Sequence, residues 1–454
     1  MILHALAAAL AALLAQPQTA VLTTQDKVWD VTVADLNQDG HGDIVLLCCD
    51  EKSSPLKKYV VVCLSEGDAY PETAQVVYPL PEETGTAFFA EVDGAAPREL
   101  VAADSLGAQV YAFTGGGFKE IAAPRFYSLW PSGAREPLFA DNAAKDLDGD
   151  GVDEWLVPTP RGYCVRHAGR EIHIVPCDVV SETRRSENTA IYHRLPPYNT
   201  FTLPGQQAKG LAFLSDEFAD FSYGPNWSEH RRFRVPFQLD DKWDASAKMA
   251  DINNDGFPDL MVTQTKGTVN LQSTTQIYMA REPFVYADKP AATFDFKGAV
   301  SAPTLKDVNG DQMLDAIVIT VPLGVKNIVN YFVRGKVSVH AQVFLCKGTG
   351  FGTTPQFTQD LTLDAPEGRD QIAYKMEDFS GDGVLDLAFS KSANALVVHT
   401  GDTASFLSRQ PWVTLNLPSF GYLYACDLNG NAAKDIVLIH PAGENARRVD
   451  VIQF

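Results

Sequence analysis

Basic residues are scarce in this chain of 454 residues: 37 Lys and Arg stand against 57 Asp and Glu, a formal net charge of −20. That imbalance argues against nucleic-acid binding, which needs a basic patch, and against adsorption to anionic membranes. Beyond the N-terminus no run of 18 apolar residues occurs, so no transmembrane helix is expected. The G-x-S-x-G, H-E-x-x-H, P-loop and Rossmann glycine patterns are also missing. The nine histidines are scattered, and His167 and His173 flank a hairpin-like Ala-Gly-Arg-Glu stretch with no identifiable partner.

Cys48, Cys49, Cys63, Cys164, Cys177, Cys346 and Cys426 form no C-x-x-C or Cys/His spacing that would suggest zinc, and an odd count leaves at least one unpaired. Cys164 and Cys177 fall in neighbouring strand-like segments, where an oxidising compartment would permit a disulfide. Most of the others read as small core residues. The N-terminus carries an Ala/Leu-rich run from Ile2 to Ala15, which reads as a secretory signal peptide cleaved after Ala15 or as late as residue 20. The alternatives are a buried helix or an uncleaved anchor. Export predicts a secreted, periplasmic or cell-surface protein, with no membrane insertion once the leader is removed.

What is present is a folded composition, 45% hydrophobic and 10% aromatic, with an acidic motif. The stretch DINNDGFPDL places Asp251, Asn253, Asp255 and Asp259 within nine residues, then enters the apolar run Leu260-Met261-Val262. Carboxylates this close repel unless a cation sits among them, and a hard, oxygen-liganded ion such as calcium suits the donors. The pattern recurs from Asp35, Asp146, Asp307 and Asp378. A weaker copy starts at Asp427 and a decayed one at Glu91. Most starts lie about 50 to 56 residues apart, with longer intervals between 146 and 251 and between 307 and 378. An internal repeat of this length, holding about four short strands, is the signature of a β-propeller blade.

The loop is not an EF-hand, which needs a bidentate Glu at position 12. Position 12 here is Leu46, Val157, Val262, Val318 or Phe389, already inside a strand. The last acid stands at position 9, as Asp43, Glu154, Asp259, Asp315 or Asp386. A nine-residue loop closing into a strand fits a corner between two blade strands.

The pattern D-x-[DN]-x-D-G-x-x-D followed by an aliphatic strand resembles the FG-GAP/VCBS repeats of integrin-α-like propellers, from about Lys27 to Phe454. The resemblance implies calcium held by side chains at positions 1, 3, 5 and 9 and by the carbonyl at position 7. The implied sites are Asp35, Asn37, Asp39, Asp43 and the His41 carbonyl; Asp146, Asp148, Asp150, Glu154 and the Val152 carbonyl; and Asp251, Asn253, Asp255, Asp259 and the Phe257 carbonyl. Two more are Asp307, Asn309, Asp311, Asp315 with Met313, and Asp378, Ser380, Asp382, Asp386 with Val384. This chain departs from the pattern at Gln312 and Ala432, which replace the position-6 glycine, at Asn431, which lacks a charge, and at Ala95, which lacks a ligand. Four to five structural Ca²⁺ ions are therefore expected, with 427 a weak candidate and 91 none. Five such ions would halve the formal charge.

The fold expected is all-β: one propeller domain over 19–454, of seven four-stranded blades, or eight if residues 180–245 hide a blade without a calcium loop. Otherwise 180–245 is an insertion. It is rich in aromatics (Tyr192, Tyr198, Phe201, Phe213, Phe218, Phe221, Tyr223, Trp227, Phe233, Trp243) and arginines (Arg184, Arg185, Arg194, Arg231, Arg232, Arg234) that suit either a core or a recognition surface. A second insertion near 321–336 carries Val325, Ile328, Val329 and Phe332 at helical spacing, a short capping helix before a strand at Lys336–Leu345. The orphan β-prone segment Thr19–Gln25 is expected to supply the fourth strand of the last blade, joining the two ends of the chain. The leading functional reading is a non-enzymatic ligand-binding or adhesion-type protein for a glycan or protein ligand. The alternative is a calcium-dependent carbohydrate-active enzyme, a polysaccharide lyase or glycoside hydrolase; enzymatic activity is not decided by the sequence.

Overall fold

Each second strand of a repeat is apolar at consecutive positions, as in Asp43–Asp50 with its core Ile-Val-Leu-Leu-Cys-Cys. Side chains alternate between the faces of a strand, so a continuous apolar run means a sheet covered on both faces. A computed structural model of the chain shows this arrangement. It describes residues 17–454 apart from 68, 168, 186–188, 216, 238–243, 268–271, 298, 301, 322–335, 365–372 and 432. The expected leader and the expected helix around 325–332 lie outside the described residues.

Among the described residues, eight sheets of four or five strands follow one another along the chain, antiparallel except where the short strand Leu138–Phe139 pairs in parallel with Thr86–Ala90. Blade 1 is Lys27–Ala34, Asp43–Asp50, Lys57–Cys63 and Val76–Leu80. Blades 2 to 7 span residues 86–122, 144–176, 198–234, 244–297, 299–364 and 374–416. Blade 8 is made of Tyr422–Cys426, Asp435–Ile439 and Arg448–Gln453, with Gln18–Thr23 paired antiparallel to the last of these. The N-terminal segment is therefore the fourth strand of the last blade, as expected from Thr19–Gln25.

Packing shows that the array closes. In blade 1, Ile44, Leu46 and Cys48 pack against Leu428, Val437 and Val449 of blade 8. The intervening Val45 and Leu47 pack against Leu100 and Tyr111 of blade 2. Further apolar clusters join blade 2 to 3, 3 to 4, 4 to 5, 5 to 6, 6 to 7 and 7 to 8. Each blade is thus buried between two neighbours, and no exposed sheet face has to be covered by other means.

The ring has eight blades, not seven. The long interval after Asp146 holds a complete blade, 198–234, preceded by a hairpin of Val180–Arg185 and Thr189–Arg194. Its first connection, from Phe201 to Gly210, is as long as that from Ala34 to Asp43, but it reads Thr-Leu-Pro-Gly-Gln-Gln-Ala-Lys and carries no acid ladder. Gly210 holds position 9, and a Cβ there would fall about 2.2 Å from the Phe201 ring. Packing of an aromatic ring has replaced the carboxylate, which removes the repeat's sequence signature.

The disulfide considered between Cys164 and Cys177 is absent, and both are free buried thiols. The physical reason is topological: Cys164 faces the blade 2–3 interface and Cys177 the blade 3–4 interface.

Candidate metal corners and an arginine-lined cavity

At the corner starting with Asp251, the first carboxylate accepts the N–H groups of Asp255 at 3.0 Å and Gly256 at 2.9 Å. Asn253 Oδ1 accepts the Asp255 N–H at 3.3 Å, and its Nδ2 donates to Asp255 Oδ2 at 2.9 Å. Asp255 Oδ1 accepts the Phe257 N–H at 2.9 Å. These bonds wind the loop around its own acids, and Gly256, at φ +89°, makes the left-handed step. The same winding occurs at 35, 146, 307 and 378, where the N–H groups of His41, Val152, Met313 and Val384 donate to Asp39, Asp150, Asp311 and Asp382. Gln312 takes a positive φ of 69° without being glycine, and its N–H still reaches Asp307 at 2.7 Å.

The position-9 acid plays a different part from the other three. Asp259 is wholly buried; its Oδ2 accepts the Ile252 N–H at 2.9 Å and its Oδ1 the Ala280 N–H at 2.6 Å. It bolts the corner to the end of the third strand. Asp43 does so with Leu36 and Ser65, Asp315 with Val308 and Cys346, Asp386 with Phe379 and Gly401, and Asp435 with Leu428 and Phe454. Desolvation raises these carboxyls above the usual range, to about 7 for Asp259 and about 6 for Asp315, Asp386 and Asp435. The corners are also joined to each other. The Gly42 N–H donates to the Leu428 carbonyl, Lys209 to Leu147, Leu314 to Ile252 and Lys434 to Asp378, all at 2.7–2.8 Å.

The corner at 146 differs from the rest. Glu154 Oε2 accepts the Leu147 N–H at 2.9 Å, but its Oε1 meets a side chain, His167 Nδ1, also at 2.9 Å. His167 Nε2 lies 3.7 Å from Asp150. The histidine left without a partner in the sequence therefore belongs to this corner. Ligand atoms of Asp146, Asp148 and Glu154 lie within 4.8 Å of one another, and so do those of Asp148, Asp150 and His167. The decayed corner gathers Glu91, Asp93 and Glu99 in the same way, although Ala95 removes one ligand. Carboxylate, amide and hydroxyl oxygens dominate every complete corner, a donor set that fits calcium. At Asp259 and Asp315 each oxygen accepts one of these N–H bonds and retains a second lone pair, whereas Asp43 Oδ2 and Asp386 Oδ2 each accept two.

Trp227 is not a recognition residue. It is 2% exposed, packs in the blade 3–4 core and donates Nε1–H to the Lys209 carbonyl at 2.8 Å. Phe201, Phe213 and Phe221 are buried as well. Arg231 remains exposed, its guanidinium 5.2 Å from the Phe284 ring.

A cavity of about 420 Å³ between blades 2 and 3 is lined by Arg125, Tyr127, Arg161 and Arg166 along with Phe126 and Glu171. The chain leaving blade 2 spans this gap. Phe126 and Ser128 donate N–H bonds to Leu106 and Ser105 of one blade, and Leu129 donates to Pro158 of the next. Gly107 lets the crossing chain come close, since a Cβ would sit about 2.5 Å from the Pro124 carbonyl. Arg166, 7% exposed, donates Nε–H to the Gly169 carbonyl at 3.2 Å, and its guanidinium lies 4.6 Å from the Phe126 ring. The repeated Pro-Arg-x-Tyr at 124–127 and 160–163 is the sequence signal that would have drawn attention to this place.

No family model matches the chain, and no curated protein matches it. Solved structures similar to it include an Agrocybe aegerita lectin described as recognising non-reducing terminal N-acetylglucosamine, at 12% identity and TM-score 0.45 over 97% of this chain and 96% of that one. Chaetomium thermophilum Sqt1 is similar at 11% identity and TM-score 0.48, over 96% and 97% of the chains. The V. cholerae biofilm matrix protein Bap1 gives 11% identity and TM-score 0.32, over 93% and 76%.

Proposed function

We propose that this protein is an exported, calcium-stabilised propeller of the FG-GAP/VCBS type, which binds a glycan or protein ligand without transforming it. The observation that carries the calcium reading is the repeated corner. Five loops present acids at positions 1 and 5 on a wound turn, beside a buried position-9 carboxylate. In this reading Asp35, Asp146, Asp251, Asp307 and Asp378, with their partners at positions 3, 5, 7 and 9, hold the ions. Calcium supplies charge neutralisation and fixes the corners, while the chain's own acids bolt the strands together. Such a site is structural, so ligand recognition falls to the surface between the blades.

The test uses the purified mature protein with Ca²⁺ on a panel of immobilised polysaccharides. It is scored for retention, for new reducing ends and for ultraviolet absorbance of unsaturated products. Retention without products supports the binding reading, and products would replace it with the enzymatic one. A melting curve unmoved by EDTA would remove calcium from the account.

A further inference from the structure

We infer that the cavity between blades 2 and 3 is a recognition site for a carboxylated sugar, a uronic acid either free or as a residue of an acidic polysaccharide. The inference rests on the ligand-binding reading above and gives it a place and a ligand class. Three arginines against one glutamate line this cavity in a chain whose formal charge is −20. Such a local reversal of sign attracts an anion and repels little. Arg166 is not a surface residue: it is 7% exposed and held by the Gly169 carbonyl and the Phe126 ring. Its charge is paired with Glu171 at 3.8 Å, so the positive excess of the cavity rests on Arg125 and Arg161. Arg125 and Arg161 are exposed, and among the described residues no hydrogen bond or ion pair holds either guanidinium. Both are therefore available for the two-pronged contact that a planar fork makes with a carboxylate.

The remaining chemistry favours a sugar over a simple acid. Tyr127 is 83% exposed at the cavity and presents a large aromatic ring to solvent, where the C–H face of a pyranose can stack. The volume of about 420 Å³ lies in the range of small-molecule sites. Thr159 Oγ1 donates to the Gly162 carbonyl at 2.8 Å, so it shapes the turn that carries Arg161.

The experiment is calorimetric titration of the full mature protein with galacturonate and glucuronate oligosaccharides, the matching neutral oligosaccharides, and a short peptide rich in Asp and Glu. Arg161→Gln and Tyr127→Ala serve as variants, since both residues are exposed and each variant's melting temperature checks its fold. The expected result is uronate binding weakened at least tenfold by either variant and by raised salt, with neutral sugars and peptide bound at least tenfold more weakly by the parent. Uronates bound no better than neutral sugars would overturn the inference, as would variants that bind like the parent. Peptide binding equal to uronate binding would reduce the site to a carboxylate trap and also overturn it. Retention of a neutral polysaccharide in the panel above would then leave the ligand-binding reading standing on its own.

Discussion

Asp259 Oδ1 accepts the backbone N–H of Ala280 at 2.6 Å, and so fastens the loop before the second strand of blade 5 to the chain leaving the third. The other oxygen holds the Ile252 N–H. Asp259→Ala would strand two buried donors, at roughly 1–3 kcal/mol each, with or without calcium. Asp255→Ala alters an exposed carboxylate and should lower stability mainly when Ca²⁺ is present, because the metal contributes by mass action only where it binds. Urea unfolding of the parent and both variants in Ca²⁺ and in EDTA separates the two roles. Equal losses for both variants in EDTA would contradict the bolt.

The closing strand gives a second expectation. Gln18–Thr23 pairs with the last strand over six residues, and Leu22, 1% exposed, enters the blade 8–1 core. Leu22→Ala should cost about 2–5 kcal/mol, the usual range for a buried leucine. Deleting residues 16–25 should lower the melting temperature further by exposing the edge of the last blade. A truncated protein that melts like the parent would show that the latch contributes nothing.

Trp227→Ala tests the core assignment of blade 4. Loss of its buried ring and of its bond to Lys209 should destabilise the protein by about 3–5 kcal/mol. Ligand retention by the remaining folded fraction should not change. A variant as stable as the parent but deficient in retention would return Trp227 to the binding surface.

Acid should act on the closing blade through Asp450. Burial alone would raise this carboxyl, but hydrogen bonds from His440 and Arg448 outweigh it and hold it below its ordinary value of 3.8. A depressed carboxyl contributes stability above its unfolded value and loses that contribution as pH falls through the folded value. Asp450→Asn should therefore cost roughly 1.5–3 kcal/mol near neutral pH, as for hydrogen bonds to a charged group. The difference from the parent should shrink as the pH falls below 3.8 and through the lower folded value. Denaturant titrations at several pH values measure the gap, and a constant difference across them would refute the linkage.

Much of the fold was legible because most second strands, such as Ile44–Cys49, are apolar on both faces and follow an acid ladder. The corner acids fell where the motif placed them, and the N-terminal strand fell where the last blade lacked one. Blade 4 was ambiguous because its corner keeps the length but replaces the position-9 acid with Gly210 under the Phe201 ring. His167 had no partner in the sequence because Glu154 meets it only across paired strands. The Arg125–Arg161 cavity has no dense local signal, whereas Phe201, Phe213, Phe221 and Trp227 crowd one stretch of sequence and pack inward.

The sequence by itself determined the repeat, the all-β class and the acids of each corner, because these depend on local spacing: nine residues wind one turn, and alternation sets the faces of one strand. Only the tertiary structure decided the number of blades, the separation of Cys164 from Cys177 and the meeting of three arginines between blades 2 and 3. Those depend on which strand faces which neighbour once the ring closes. Contacts of that kind form between residues whose spacing along the chain carries no period to read.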